Sequence, residues 1–164
     1  MKRNRLYIMW VDTFDKPKTV FVWGVCLLLQ SALSYAQSEK KIIRDGNSQY
    51  NSQKYEEAEK NYQKALQKNK SSYAANFNLA NTLYKKGNYA DAGNYLQGLT
   101  HLPASKDTLA KVYHNLGNAL LKQQKFDEAI NAYKNALKHN PSDEDTRYNL
   151  AYAQSMLKQQ NQNK

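Results

Sequence analysis

The body of the chain repeats itself. Laid over Asn115-Leu116-Gly117-Asn118-Ala119-Leu120-Leu121-Lys122, the segment Asn78-Leu79-Ala80-Asn81-Thr82-Leu83-Tyr84-Lys85 is identical at five of eight positions, at an offset of 37. In the same register Tyr89 falls on Phe126 and Ala92 on Ala129. Tyr55-Glu56-Glu57-Ala58 and Tyr62-Gln63-Lys64-Ala65-Leu66 fall on Phe126-Asp127-Glu128-Ala129 and Tyr133-Lys134-Asn135-Ala136-Leu137 at an offset of 71, one period of 34 and one of 37. The chain therefore holds three units, with three extra residues between the second and third. Units of this length bury a core by stacking on their neighbours.

Each unit carries two stretches with apolar residues three and four apart, the spacing of an amphipathic helix. The pattern predicts helices at 39–52, 55–68, 72–86, 89–99, 105–123, 126–138 and 143–158. Only 6 Gly and 3 Pro argue against a turn-rich β fold. Gly46 and Gly117 stand where paired helices cross closely, with Ala58, Ala92 and Ala129 serving the same packing from the second helix. Lys86-Gly87-Asn88 and Gln123-Gln124-Lys125 form short polar turns. Ser142 opens the last helix with Asp143, Glu144 and Asp145 in its first turn, a capping pattern in which acids complement the helix dipole. Leu150 and Leu157 suit its inner face, and Gln154, Ser155, Lys158 and Gln159 its outer one.

A period of 34 with these residues resembles the tetratricopeptide repeat (TPR). Tyr113, Leu116, Gly117, Leu120, Ala129, Tyr133, Ala136 and Pro141 fall at the family's eight signature positions. Gly46, Ala58, Tyr62 and Ala65 echo it in the first unit, and Leu79, Ala80, Leu83 and Ala92 in the second. The resemblance implies an all-α solenoid of three helix-turn-helix repeats. They run over 38–71, 72–108 (with a three-residue insertion) and 109–142. A capping helix follows at 143–158, then a disordered Gln/Asn-rich tail at 159–164.

The first 36 residues differ from the rest. Lys16 and Lys18 precede an uncharged run, Val20 to Leu29, and Ser34-Tyr35-Ala36 ends it. That order is a signal peptide, with Gln37 as the mature N-terminus. The run is short for a membrane span, which needs about 20 apolar residues. Residues 1–15 make a long leading region containing Asp12 and Asp15, so Met9 as the start, an uncleaved N-terminal anchor and a buried segment stay open as alternatives. Cys26 follows Trp23-Gly24-Val25, which is no lipobox. Cleavage removes five positive and two negative charges, taking the net charge from +10 to +7, along with Cys26, Trp10 and Trp23.

Catalytic and cofactor chemistry has no foothold in the sequence. His101, His114 and His139 are far apart and lack partners at metal-ligand spacing. No phosphate-cradling glycine motif occurs. Glu56-Glu57 and Asp127-Glu128 each open a helix, where acids complement its dipole. The expectation is a non-enzymatic chain without cofactor or metal.

What remains is a surface. In the TPR frame the first helices of successive units line the concave face. The candidate groove residues are Asn47, Tyr50, Phe77, Asn78, Asn81, Tyr84, Lys111, Asn115, Asn118 and Lys122, with Tyr148 and Tyr152 added by the last helix. Asparagine recurs in register as Asn47, Asn81 and Asn118, and again as Asn78 and Asn115. An amide both donates and accepts, so it suits an extended peptide backbone; such recurrence is also common within the repeat itself. Some TPR proteins clamp a partner's C-terminal carboxylate. Asn47, Asn78 and Lys111 match three of the five clamp positions, but Ile43 and Asn115 stand where cations are wanted.

The leader, the three repeats, the Asn140-Pro141-Ser142-Asp143-Glu144-Asp145 run and the Gln/Asn-rich end together resemble the small exported TPR proteins of Bacteroides aerotolerance operons. That resemblance implies a scaffold in the periplasm or cell envelope of a Gram-negative bacterium, linked to stress tolerance. Its partners would be von Willebrand factor A domain membrane proteins of the same operon. Two other roles stand beside it: a structural subunit packing on membrane-protein domains through its convex face, and a weak polyanion binder. The lysines are mixed with acids over many faces, so no specific nucleic-acid site is expected, and membrane contact would come only through an uncleaved leader or a partner.

Overall fold

The computed structural model describes residues 39–163; the expected leader, its cleavage site and Cys26 lie outside them. Among the described residues seven helices follow one another: α1 (39–51), α2 (Tyr55–Lys68), α3 (Tyr73–Lys85), α4 (Tyr89–Leu99), α5 (Lys106–Lys122), α6 (Phe126–His139) and α7 (Glu144–Gln162). The described residues contain no strand. The first six helices fall within one residue of the positions expected from apolar spacing.

From α2 onward each helix packs on the next in chain order, and α3–α5 and α5–α7 also touch. The first helices of successive units therefore lie side by side, as a stack of hairpins requires. The core is small and repetitive. Ala58, Ala92 and Ala129 are fully buried on the second helices, where their short side chains let helices approach. Tyr62 and Tyr133 are buried beside Gly46 and Gly117, and no larger residue fits at either glycine: a Cβ would stand 2.7 Å from the Tyr62 ring or 2.5 Å from the Tyr133 ring.

The turns inside the hairpins share one geometry. Gln53, Gly87 and Gln124, equivalent in the repeat register, all have φ between 59° and 84°. Each donates its N–H to Tyr50, Tyr84 or Leu121, and the next residue reaches back to Gln49, Leu83 or Leu120. That pair of bonds is a Schellman motif, in which a left-handed residue satisfies the last carbonyls of a helix. Glycine fills the position once; glutamine is held there twice. The turns are also zipped by rings: Tyr50 meets Tyr55 edge-on at 5.5 Å and Tyr84 meets Tyr89 at 5.1 Å, with Leu121 and Phe126 in the same register of the third unit. Lys86, at the second turn, reaches back to Glu59 at 2.8 Å and Glu56 at 3.6 Å, tying the first two units together.

Two expectations about the C-terminal end need correction. The residue capping α7 is Asp143, not Ser142. Its carboxylate accepts the Thr146 N–H at 3.0 Å, while the Ser142 hydroxyl donates to Asn140. Burial works to raise the Asp143 carboxyl, but bonds from Thr146 and the nearby His114 outweigh it and hold the carboxyl below its ordinary value. The segment expected as a disordered tail is helical as far as Gln162. Leu157 and Gln160 are still partly covered there, and lysine and glutamine are good helix formers, so the backbone continues beyond the last fully buried residue, Ala153. Gln154, Ser155, Lys158 and Gln159 are exposed on α7, a polar face toward the open end of the stack. Among the described residues no helix is long and apolar enough to cross a membrane.

Candidate functional site

The asparagines predicted for the groove form a ladder between units. Asn78 donates its amide to Asn47 Oδ1 at 2.8 Å, Asn115 to Asn81 Oδ1 at 2.8 Å, and Asn149 to Asn118 Oδ1 at 3.0 Å. Each rung joins the first helices of neighbouring units. Two rungs carry a second donor from below: Tyr62 Oη gives its proton to Asn47 Oδ1, and Tyr133 Oη to Asn118 Oδ1, both at 2.7 Å. The phenols are held neutral by their setting. Burial, aided by Tyr50 nearby, pushes the Tyr62 hydroxyl from 10.0 up to about 12, and burial with a smaller contribution from Tyr84 pushes Tyr133 further.

This arrangement divides each amide. The carbonyls of Asn47 and Asn118 each already accept two bonds and that of Asn81 accepts one, so the first two are not the free peptide acceptors expected from the sequence. Among the described residues, the amide groups of Asn47, Asn81 and Asn118 and the carbonyls of Asn78, Asn115 and Asn149 carry no side-chain bond. The exposed half of the ladder thus presents both donors and acceptors.

Three hollows run along this face and share Asn81. The first, of about 280 Å³, is lined by Asn47, Tyr50, Asn51, Tyr62, Asn78 and Asn81. The second, also about 280 Å³, adds Tyr84, Lys85, Leu96, Asn115 and Asn118. The third, about 300 Å³, brings Phe77, Lys111, His114, Asp143 and Asp145 beside Asn81 and Asn115. Nine of the ten predicted groove residues line these hollows. Lys122 instead lines a larger one of about 610 Å³ toward the C-terminal end, with Leu121, Phe126, Tyr152 and Met156. Tyr148 and Tyr152, one turn apart on α7, are 73% and 49% exposed, so the end of the face is aromatic.

Some participants were missed in the sequence. Asn149 completes the ladder at one period of 34 beyond Asn115 and was legible there. His114 does not stand free in the groove: its Nδ1 lies 2.6 Å from the buried Thr146 hydroxyl, joining the third unit to α7. The acids Asp143 and Asp145 line the third hollow with Lys111 and partly offset its charge. Among the described residues no group of three or more His, Cys, Asp or Glu could hold a metal ion.

Tetratricopeptide-repeat profiles match residues 44–105 and 110–143. The chain is a tetratricopeptide-repeat protein. The TPR fold recurs in solved structures. The first TPR of Spaghetti (RPAP3) bound to the HSP90 peptide SRMEEVD has a TM-score of 0.68 at 22% identity, covering 74% of this chain and 94% of that one. The Sgt2 TPR domain from Aspergillus fumigatus has a TM-score of 0.68 at 18% identity, covering 76% and 82%. The TPR2AB domain of yeast Sti1 in complex with HSP90 has a TM-score of 0.67 at 24% identity, covering 77% and 50%. At these identities the likeness is one of fold. Among curated proteins, the DnaJ homolog subfamily C member 7 homolog of Schizosaccharomyces pombe is 39% identical over 61 residues, which is 37% of this chain and 13% of that protein. The TPR chain thus spans a small part of that relative's length.

Proposed function

We propose that this chain is an exported scaffold whose concave face holds an extended, acidic segment of a partner protein within a cell-envelope complex. The observation that carries the reading is the half-used asparagine ladder. Its free amides and carbonyls match the alternating needs of an extended backbone, and each such bond contributes about 0.5–1.5 kcal/mol. Tyr50, Phe77 and Tyr84 supply apolar contact beside it, and the exposed Lys85 and Lys111 attract acids. Two of the structural neighbours, those of Spaghetti and Sti1, are complexes with HSP90 or a peptide of it, which supports a groove of this shape as a peptide seat. Ile43 and Asn115 leave a carboxylate clamp without two of its cations, so the segment is read along its length rather than by its terminus. Export rests on the leader ending at Ala36. The link to stress tolerance and to von Willebrand factor A domain membrane proteins rests on resemblance to the aerotolerance repeat proteins.

The test is photocrosslinking in the native envelope. A crosslinker at Asn51, Lys85 or Lys111 on the groove side should capture a partner, and one at Lys60 or Lys134 on the second helices should not. Capture only from Lys60 and Lys134 would replace this reading with packing through the convex face.

A further inference from the structure

Along the sequence lysines and acids are mixed, but the fold of the first hairpin separates them. Residues 39–44 and 60–70 hold seven cations and one acid, whereas residues 45–59 hold one cation and four acids. The two basic stretches stand side by side, because α1 and α2 run antiparallel. Asn69 donates to Glu39 at 3.2 Å, which engages the one acid, and Ile42 clusters with Ala65. The basic and acidic ends of α2 lie about 13 Å apart at about 1.5 Å per residue, beyond the Debye length of about 8 Å in physiological salt. The acids therefore do little to cancel the cations at the other end. Repeat register shows which way the cations face. Lys41 is equivalent to Ala75, Val112 and Thr146, all fully buried, and Ala75 clusters with Ile42 and Ala65 of the preceding unit. Arg44 is equivalent to Asn78, Asn115 and Asn149, the ladder donors that reach to the preceding unit. Both positions face backward along the stack, and on α1 they carry exposed cations. On α2, Leu66 packs toward the second unit, and Lys64, about 200° round the helix from it, is exposed on the far side. Lys41, Arg44 and Lys64 thus belong to one face, the N-terminal end of the described stack, with Asp45 as the acid at its edge.

We propose that this end face docks on an anionic lipid surface, with Lys41, Arg44 and Lys64 against the headgroup phosphates and Lys40 and Lys70 at the rim. Each cation held near such a surface contributes about fivefold in affinity. Two observations favour lipid over nucleic acid. The one ring in the two basic stretches, Tyr62, is buried, so the face offers no platform on which bases stack. The uncharged run Val20 to Leu29 stands nine residues ahead of Glu39, so a lipid surface is the polyanion that this part of the chain meets, whether the leader is retained or removed. The face shares none of these cations with the three groove hollows, so a docked chain keeps its groove open to a partner.

The test is co-sedimentation of the full chain with phosphatidylcholine vesicles, without and with about 30% phosphatidylglycerol. The anionic vesicles should bind at least about tenfold more tightly, and raised salt should abolish the difference. Lys41→Gln with Arg44→Gln and Lys64→Gln should cost about tenfold or more in affinity for the anionic vesicles. Lys106→Gln with Lys134→Gln and Lys138→Gln, equal in charge change, should cost less than about twofold. All six positions are exposed, so neither triple should lower the melting temperature. The leader is common to every variant, so its own affinity for lipid cancels in the comparison. In the unaltered chain, a photoactivatable phosphatidylglycerol should label peptides spanning 40–44 and 60–70 rather than 126–139. Equal binding to the two kinds of vesicle, equal losses from the two triples, or labelling confined to helices after α2 would overturn the inference. So would tighter binding of a DNA duplex that the first triple abolishes, which would give the face to nucleic acid. Groove crosslinking is decided separately, because the two surfaces are built from different cations.

Discussion

Adding a single methyl group at Gly117 should unfasten the third repeat. A Cβ there would stand 2.5, 2.6 and 2.8 Å from three atoms of the Tyr133 ring, against about 3.5–4.0 Å for carbon atoms in ordinary contact. The ring must retreat by about 1 Å. It is poorly placed to do so, being fully buried, bonded through its hydroxyl to Asn118 at 2.7 Å, and set against His114. Overpacking of this kind costs about 1–3 kcal/mol, and loss of the Asn118 bond about 0.5–1.5 kcal/mol. Alanine's better helix propensity returns about 1 kcal/mol, leaving Gly117→Ala destabilised by about 2 kcal/mol. The same change at Gly98, where nothing lies within 4 Å of the added Cβ, should stabilise by about 0.5–1 kcal/mol. Urea unfolding followed by circular dichroism reads both as opposite shifts of the midpoint. The middle unit supplies the rescue: Gly117→Ala with Tyr133→Leu reproduces its Ala80/Leu96 pair, so the double variant should be more stable than the two single changes add up to. A Gly117→Ala chain as stable as the parent, or strict additivity with Tyr133→Leu, would refute the account of the crossing.

Further outcomes are expected elsewhere. Replacing Gln53 and Gln124 by glycine should raise the melting temperature, because left-handed backbone costs a side-chain-bearing residue about 1–2 kcal/mol and glycine's extra entropy cancels only part of that. Stability should be full below about pH 10 and fall as pH rises toward 12, since folding raises the Tyr62 hydroxyl from 10.0 to about 12 and the folded chain holds a proton that the unfolded chain releases. Tyr62→Phe should flatten that alkaline decline in melting temperature. Replacing Ala36 by arginine should block processing and leave a product 36 residues longer than one beginning at Gln37, as N-terminal sequencing of the native protein would read.

Repeat register made most of the fold legible. Leu79 over Leu116 and Ala92 over Ala129 set which faces meet, and a helix face is a property of spacing alone. The groove side of the first helices came from the TPR frame, not from the register. The use made of Asn47, Asn81 and Asn118 came from neither, because a bond between residues 31 or 34 apart depends on how one hairpin leans on the next. That Ala80 and Leu96 replace a glycine–tyrosine pair as one change became legible only once the Tyr133 ring was seen to lie against Gly117. The helical course of residues 159–162 was hidden for another reason: a Gln/Asn-rich composition argues for disorder, while the partly covered Leu157 and Gln160 carry the helix on.

The central claim, that the concave face grips an acidic segment, is tested most directly by charge reversal measured against the segment that crosslinking identifies. Lys85 and Lys111 are exposed and line the groove hollows; Lys60 and Lys134 are exposed on second helices. Titrated by isothermal calorimetry at fixed salt, Lys85→Glu with Lys111→Glu should weaken binding by about tenfold, while Lys60→Glu with Lys134→Glu, equal in charge change, should leave it nearly unaltered. Equal losses from both pairs would reduce the interaction to net charge, and a loss confined to the Lys60/Lys134 pair would move it to the opposite face.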